Sequence, residues 1–147
     1  MATFSNDTKF DSTFQKALLP PISKGSCIEF TVATGYVGVP ILKKMESKLL
    51  AIARSGKCRI VVGMISPEGC TQSTKDYLEQ LDSRLRAVNP ISGIFVTRFS
   101  YHGKVYKVVN NLSTKVFIGS SNFSTASWND RKEFNIDVDE PQVKAKT

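Results

Sequence analysis

The chain has 147 residues, enough for one domain that buries about two-thirds of its unfolded surface. Its hydrophobic fraction of 41% and charged fraction of 22% are those of an ordinary globular protein, and no apolar run approaches the roughly 20 residues that cross a bilayer. We therefore expect no membrane partner. The 20 basic residues outnumber the 13 acidic ones, which favours encounter with polyanions but says nothing about fold.

The start of the chain and its cysteines bear on its compartment. The first residues are polar and carry early acids, so we expect neither a secretory signal nor a transit peptide. Cys27, Cys58 and Cys70 form no metal-ligand cluster and leave one thiol over in any disulfide scheme. We therefore expect reduced thiols packed in the core and a cytoplasmic location.

Residues 1–25 predict an N-terminal arm, 26–140 a folded domain and 141–147 a C-terminal tail. The arm ends at the Leu-Pro-Pro sequence of positions 19–21, because consecutive prolines resist helix and favour extended chain. Three aromatic residues suggest that the arm packs on another protein surface: Phe4, Phe10 and Phe14.

Strands and helices alternate in the first part of the domain. An alternating strand around residues 28–32 leads to a helix whose apolar positions recur at spacings of three and four: Leu42, Met45, Leu49 and Ile52. Gly56 ends that helix. The apolar run at 59–65 predicts a strand buried on both faces.

A second helix and a third strand follow. Ser73 and Asp76 form a capping-box pattern before the apolar positions of the helix, which are Leu78, Leu81, Leu85 and Val88. Residues 94–99 predict the strand. Strands that alternate with amphipathic helices favour crossover connections and parallel pairing.

The pattern changes after residue 100. Residues 105–109 and 116–118 are joined by Asn-Asn-Leu-Ser, which predicts an antiparallel hairpin, and 134–138 alternate in a last strand. The predicted fold class is α/β, with a mixed, largely parallel sheet flanked by helices. The C-terminal hairpin would carry the functional site.

Five polar residues around this hairpin predict a partly basic pocket at the sheet edge: His102, Lys104, Ser120, Asn122 and Glu133. His102 is the only histidine. We expect His102 and Lys104 to lie on a strand, so that their side chains project from one face, suited to one phosphate-sized group. A tight turn at Gly119 could aim a hydroxyl, an amide and backbone N–H groups at the same place.

A second candidate segment follows the first strand. Residues 33–36, Ala-Thr-Gly-Tyr, lie at the carboxyl edge, where open α/β sheets bind ligands. Tyr36 could border the pocket, and a plain turn is the alternative interpretation.

The spacing of H-x-K, then G-S-x-N, then Glu, with offsets of 20 and 31 from the histidine, resembles the signature of the phospholipase D superfamily. The chain is most similar to its nuclease branch, including metal-independent restriction endonucleases of the BfiI type. The resemblance covers roughly 26–140, and its specific part is 102–133. The fuller motif would place an aspartate at 109, where this chain has Val109, and the restriction branch likewise dispenses with it.

The resemblance implies a mechanism. His102 would be the nucleophile or the acid, with a covalent phosphohistidine as intermediate, and Lys104, Ser120 and Asn122 would hold the phosphate oxygens. Glu133 would orient a histidine ring. No metal or other cofactor is implied. Members with one motif per chain dimerise, so a two-fold axis would bring two copies of His102 to one site that cleaves DNA.

Other functions stay open at this point. A lipid phosphodiesterase of the same superfamily would need an apolar rim or amphipathic surface helix, and Trp128 alone does not supply one. A non-catalytic module could keep the pocket as a DNA phosphate anchor. A Ser-His-Asp hydrolase would need a G-x-S-x-G elbow, which the sequence lacks.

If the chain cleaves DNA, a separate DNA-recognition domain or subunit would supply specificity for the target sequence.

Overall fold

The computed structural model describes residues 3–5, 27–63, 70–98, 102–111, 113–119, 123 and 134–139. Within these ranges the strands are β1 (Thr3–Ser5), β2 (Cys27–Thr34), β3 (Lys57–Val62), β4 (Gly93–Val96), β5 (Val105–Asn110), β6 (Thr114–Gly119) and β7 (Phe134–Asp139). The helices are α1 (Val39–Ser55) and α2 (Gln72–Val88).

The described strands form one mixed sheet in the order β1-β7-β6-β5-β2-β3-β4. The mixed sheet flanked by helices was predicted and is confirmed. Parallel pairing is, however, confined to β2–β3 and β3–β4, and the other neighbours are antiparallel. The sheet is less parallel than predicted because β5 runs opposite to β4 and β6 follows it in a tight hairpin.

Helix α1 buries the face that its apolar spacing predicted. Its buried residues are Ile41, Leu42, Met45, Leu49, Ile52 and Ala53, and it packs on β2 and β3. Gly56 ends it, as predicted, and its N–H donates to the carbonyl oxygen of Ile52 at 2.9 Å. A Cβ at position 56 would lie 1.8 Å from the carbonyl oxygen of Ile28, so only glycine fits this close approach.

Two local predictions differ from the structure. The N-cap of α2 is Thr71 rather than Ser73, and its hydroxyl accepts a hydrogen bond from the N–H of Thr74 at 3.3 Å. Thr71 has the extended backbone that a cap requires, whereas Ser73 already lies in the first turn. Strand β3 was predicted at 59–65 with both faces buried, but it begins at Lys57 and only one face is buried. That face packs on the helices, and the other carries Lys57 and Arg59.

The face of the sheet opposite the described helices α1 and α2 carries an ion cluster around Glu29. Its carboxylate pairs with Lys57 at 3.1 Å and with Lys107 at 3.2 Å, and it accepts a hydrogen bond from the Thr31 hydroxyl. The Glu29 side chain is only 15% exposed. Burial alone would raise the pKa of Glu29, but the hydrogen bonds from the two lysines outweigh it and hold that pKa below its ordinary value.

Cys27 and Cys58 are buried in the core, as predicted, whereas Cys70 is partly exposed. Residues 3–5 of the predicted arm form β1 and pair with β7, and the rest of the arm and the tail lie outside the described residues. In the described part of the chain no helix is long and apolar enough to cross a membrane.

Candidate active site

The segments that carry the predicted site meet at one end of the strands. We call this end of the sheet the converging edge. The backbone N–H of Gly119, the last residue of β6, donates to the carbonyl oxygen of Lys104 at 3.3 Å, just before β5 begins. Gly119 also pairs with Asn135 at the start of β7. The beginning of β5, the end of β6 and the beginning of β7 are therefore neighbours.

This edge is also the carboxyl end of the parallel strands. Ala33, next to the last residue of β2, pairs with Val105, the first residue of β5. Beyond it, the N–H of Gly63 donates to the carbonyl oxygen of Thr34 at 2.9 Å. The edge thus combines the carboxyl ends of β2 and β3 with the hairpin, which is where open α/β sheets place ligand sites.

Thr34 holds Phe123, which lies four positions after the last residue of β6. Its side chain is fully buried, and its hydroxyl accepts a hydrogen bond from the N–H of Phe123 at 3.1 Å. The same hydroxyl donates to the carbonyl oxygen of Tyr36 at 2.7 Å. The carbonyl oxygen of Phe123 accepts from the N–H of Gly38 at 2.8 Å, and Val37 forms a parallel bridge with Phe123.

The ring of Phe123 anchors the same point in the core. It is fully buried and makes edge-to-face contacts with Phe30, at 5.9 Å between ring centroids, and with Tyr106, at 6.2 Å. Edge-to-face pairs of this kind add to the apolar burial of each ring. Phe123 is therefore held by its backbone and by its side chain.

His102 and Lys104 lie in the segment that leads into β5. The strand begins at Val105, so the prediction that both residues lie within a strand is wrong. Gly103 between them favours irregular backbone, since glycine weakens a strand. His102 is exposed and Lys104 is partly exposed. Among the described residues, neither side chain has a hydrogen-bond or ion-pair partner.

The other three predicted site residues, Ser120, Asn122 and Glu133, lie outside the described residues. Each directly adjoins a described residue of the converging edge: Gly119, Phe123 and Phe134. Within the described ranges, no three His, Cys, Asp or Glu side chains lie together as a metal ion would need.

Sequence reasoning missed the roles of Thr34 and Phe123. A signal for the first was present, since Thr34 continues the inward alternation of Phe30 and Val32 and is thus a polar residue at a core position. Tyr36 was predicted as a possible border of the pocket. Its side chain is 44% exposed, and its carbonyl oxygen accepts the hydrogen bond from the Thr34 hydroxyl.

Solved structures with the same architecture identify the fold as phospholipase D-like. NucT from Helicobacter pylori has a TM-score of 0.60 at 20% identity, covering 99% of this chain and 89% of that one. Nuc from Salmonella typhimurium, a phospholipase D family member, has a TM-score of 0.60 at 15% identity, covering 98% and 86%. A variant of yeast tyrosyl-DNA phosphodiesterase 1 has 0.54 at 14%, covering 92% of this chain but only 31% of that one.

The chain belongs to the NgoFVII restriction endonuclease family, because residues 13–146 match the model of that family's N-terminal phospholipase D (PLD) domain. This confirms the resemblance to phospholipase D superfamily nucleases. It defines an enzyme of the phosphodiesterase class, and a restriction endonuclease domain implies DNA as the substrate class. A search of curated protein sequences found no match.

Proposed function

We propose that this chain cleaves DNA without a metal ion, through a covalent phosphohistidine on His102. One observation carries the proposal beyond family membership. The described neighbours of all five predicted site residues meet at one sheet edge, where Lys104, Gly119 and Asn135 are joined by main-chain pairing. A site assembled at that edge brings an imidazole, an ammonium group and an amide to one phosphate.

The chemistry follows from the groups present. A ring nitrogen of His102 attacks phosphorus as the bond to the leaving oxygen breaks, and a second imidazole gives that oxygen its proton. Water then cleaves the phosphorus–nitrogen bond and returns free His102. This route divides one difficult displacement into two easier ones. Lys104, Asn122 and Ser120 stabilise the charge on the non-bridging oxygens, and Glu133 orients a ring.

The second imidazole comes from a second copy of the chain. One chain carries a single histidine, so it cannot supply both nucleophile and acid. A two-fold axis at the converging edge would place two copies of His102 in one site, and an isologous interface of this kind closes on itself. The active unit is then a homodimer with one shared site, and a further domain or subunit supplies target recognition. The location is cytoplasmic.

The test is cleavage of duplex DNA in excess EDTA by wild-type protein and by His102→Ala. We expect cleavage by the wild type and none by the variant, with His102→Asn as a second control of similar size. Cleavage that stops with EDTA, or that survives in the variant, contradicts the proposal.

A rapid-quench experiment tests the intermediate. Wild-type protein mixed with DNA and quenched in alkali should carry a DNA phosphate on His102, and the adduct should be lost in acid. Mass spectrometry of peptides locates it. Efficient cleavage without any adduct would mean that the reaction follows another chemistry. DNA binding without cleavage would mean that the site is a non-catalytic phosphate anchor.

A further inference from the structure

We propose that the solvent-exposed side of α1 binds the DNA backbone next to the cleaved phosphate. We define this basic side by Lys43, Lys44, Lys48 and Arg54, all of which are exposed. The proposal rests on the proposed function, since it assumes a DNA duplex in the site at the sheet edge.

The charges of the two described helices differ. Helix α1 carries four basic residues and one acidic residue, whereas α2 carries three of each. The single acid of α1, Glu46, is already bound by Arg84 of α2. In α2, Asp82 is likewise bound by Arg86, at 2.9 Å. The excess positive charge of the two described helices therefore lies on α1.

The basic side of α1 lacks acidic partners within the described structure. Lys43 lies over the Tyr77 ring, with its Nζ 5.4 Å from the ring centroid. Lys44, Lys48 and Arg54 make no ion pair with any described residue. Lys44 and Lys48 are one turn apart, an arrangement of like charges that slightly destabilises a helix. A bound polyanion would turn this repulsion into attraction.

The position of α1 relative to the site supports the same ligand. The helix begins directly after Gly38, whose N–H donates to the carbonyl oxygen of Phe123 at the converging edge. From that end, Lys44 to Arg54 extends along about 15 Å of helix. This length matches about four base-pair steps of duplex DNA, at about 3.4 Å each. A duplex that enters the site can follow α1 over several phosphates.

The test measures the salt dependence of DNA binding by fluorescence anisotropy in EDTA. Each cation that contacts a phosphate contributes about 0.9 to the slope of log affinity against log salt concentration. We expect the double variant Lys44→Gln/Lys48→Gln to lower the magnitude of that slope by about 1.8. The charge-conserving variant Lys44→Arg/Lys48→Arg should keep the wild-type slope.

Lys75→Gln is the matched control for Lys48→Gln, because Lys75 is a helical lysine on α2 beside β4, which lies two strands away from β2 in the sheet. We expect Lys48→Gln to lower the slope by about 0.9 and Lys75→Gln to leave it unchanged. Equal slopes for wild type and the double variant overturn the inference, as does a double-variant effect reproduced by Lys75→Gln alone.

Failure of this inference and failure of the proposed function give different results. If wild-type protein cleaves DNA in EDTA but the α1 variants bind it with the wild-type slope, only the α1 surface is wrong. If the α1 variants lower the slope but wild-type protein never cleaves DNA, the surface stands and the catalytic proposal falls.

Discussion

The hydroxyl of Thr34 accepts a hydrogen bond from the backbone N–H of Phe123 at 3.1 Å, across 89 positions of sequence. This bond ties the carboxyl end of β2 to the residue that follows Asn122. Thr34 is completely buried, so no water competes for the bond. Thr34 therefore links the candidate site to β2, an interior strand of the sheet.

Thr34→Val keeps the shape of the side chain but removes the hydroxyl. It leaves the buried N–H of Phe123 without that partner, and we expect a loss of about 1–3 kcal/mol in the free energy of unfolding. Urea denaturation measures this loss. Because a displacement of about 1 Å at a catalytic group can cost a hundredfold, DNA cleavage should also fall by up to about that factor.

Thr34→Ser is the control for that experiment. It keeps the hydroxyl and removes one methyl group, so its cost should be near the 0.8 kcal/mol or so of one buried methylene, with most of the cleavage activity retained. If Thr34→Val were as stable and as active as Thr34→Ser, the bond to Phe123 would not position the site.

Phe123→Ala removes a ring that contacts Phe30 and Tyr106 in the core. We expect it to lower the free energy of unfolding by about 3–5 kcal/mol, because truncation of a buried aromatic ring leaves a cavity. Phe123→Leu fills part of that space and should cost clearly less. Thermal unfolding followed by circular dichroism compares the two variants, and equal melting temperatures for Phe123→Ala and wild type would contradict the packing.

The contrast between α1 and Phe123 explains what sequence reasoning could predict. The apolar positions of α1 recur at helical spacing, so a short window of sequence contains the whole signal. The contact between Thr34 and Phe123 joins distant parts of the chain, and neither residue lies in a local pattern that names its partner. The predicted sheet was too parallel for a related reason, since periodicity identifies strands but not their neighbours.

The candidate site was predicted from residue identity rather than from local structure. The spacing of His102, Lys104 and Asn122 carried the family resemblance, and membership of the family is confirmed. The strand placement of His102 failed because β5 begins only at Val105, after Gly103. Motif spacing thus identified the family. The exact backbone of the segment depended on tertiary pairing with Gly119.

The ion cluster around Glu29 predicts a pH dependence of stability. Because hydrogen bonds from Lys57 and Lys107 lower the pKa of Glu29, its stabilising contribution is present above the ordinary value of 4.5. It is lost as the pH falls through the lower pKa of the folded state. Glu29→Gln should therefore reduce the free energy of unfolding at pH 7 by about 1 kcal/mol, since the cluster is partly open to solvent.

The control for Glu29 is Glu79→Gln, because Glu79 is exposed on α2 and makes no ion pair with any described residue. Urea denaturation at pH 7 and at pH 3 measures both variants. The difference between wild type and Glu29→Gln should shrink at pH 3, while Glu79→Gln stays near wild type at both. A Glu29→Gln difference that is as large at pH 3 as at pH 7 would contradict the pairing.

The cysteines should differ in reactivity. Burial raises the pKa of the Cys58 thiol to about 12, and burial also raises the pKa of Cys27, so neither forms much thiolate at pH 8. Cys70 is partly exposed. We expect iodoacetamide to modify Cys70 in the folded protein and all three thiols in urea, as read by peptide mass spectrometry. Fast modification of Cys58 in the folded state would contradict its burial.

The most direct test of the proposed shared site uses mixtures of wild-type protein and His102→Ala, unfolded and refolded together in varied proportions. If one site needs an imidazole from each subunit, mixed dimers are inactive and DNA cleavage falls with the square of the wild-type fraction. An equal mixture should then retain about a quarter of the wild-type activity. Activity that falls in direct proportion to the wild-type fraction, leaving about half in that mixture, would show that each chain acts with its own His102 alone.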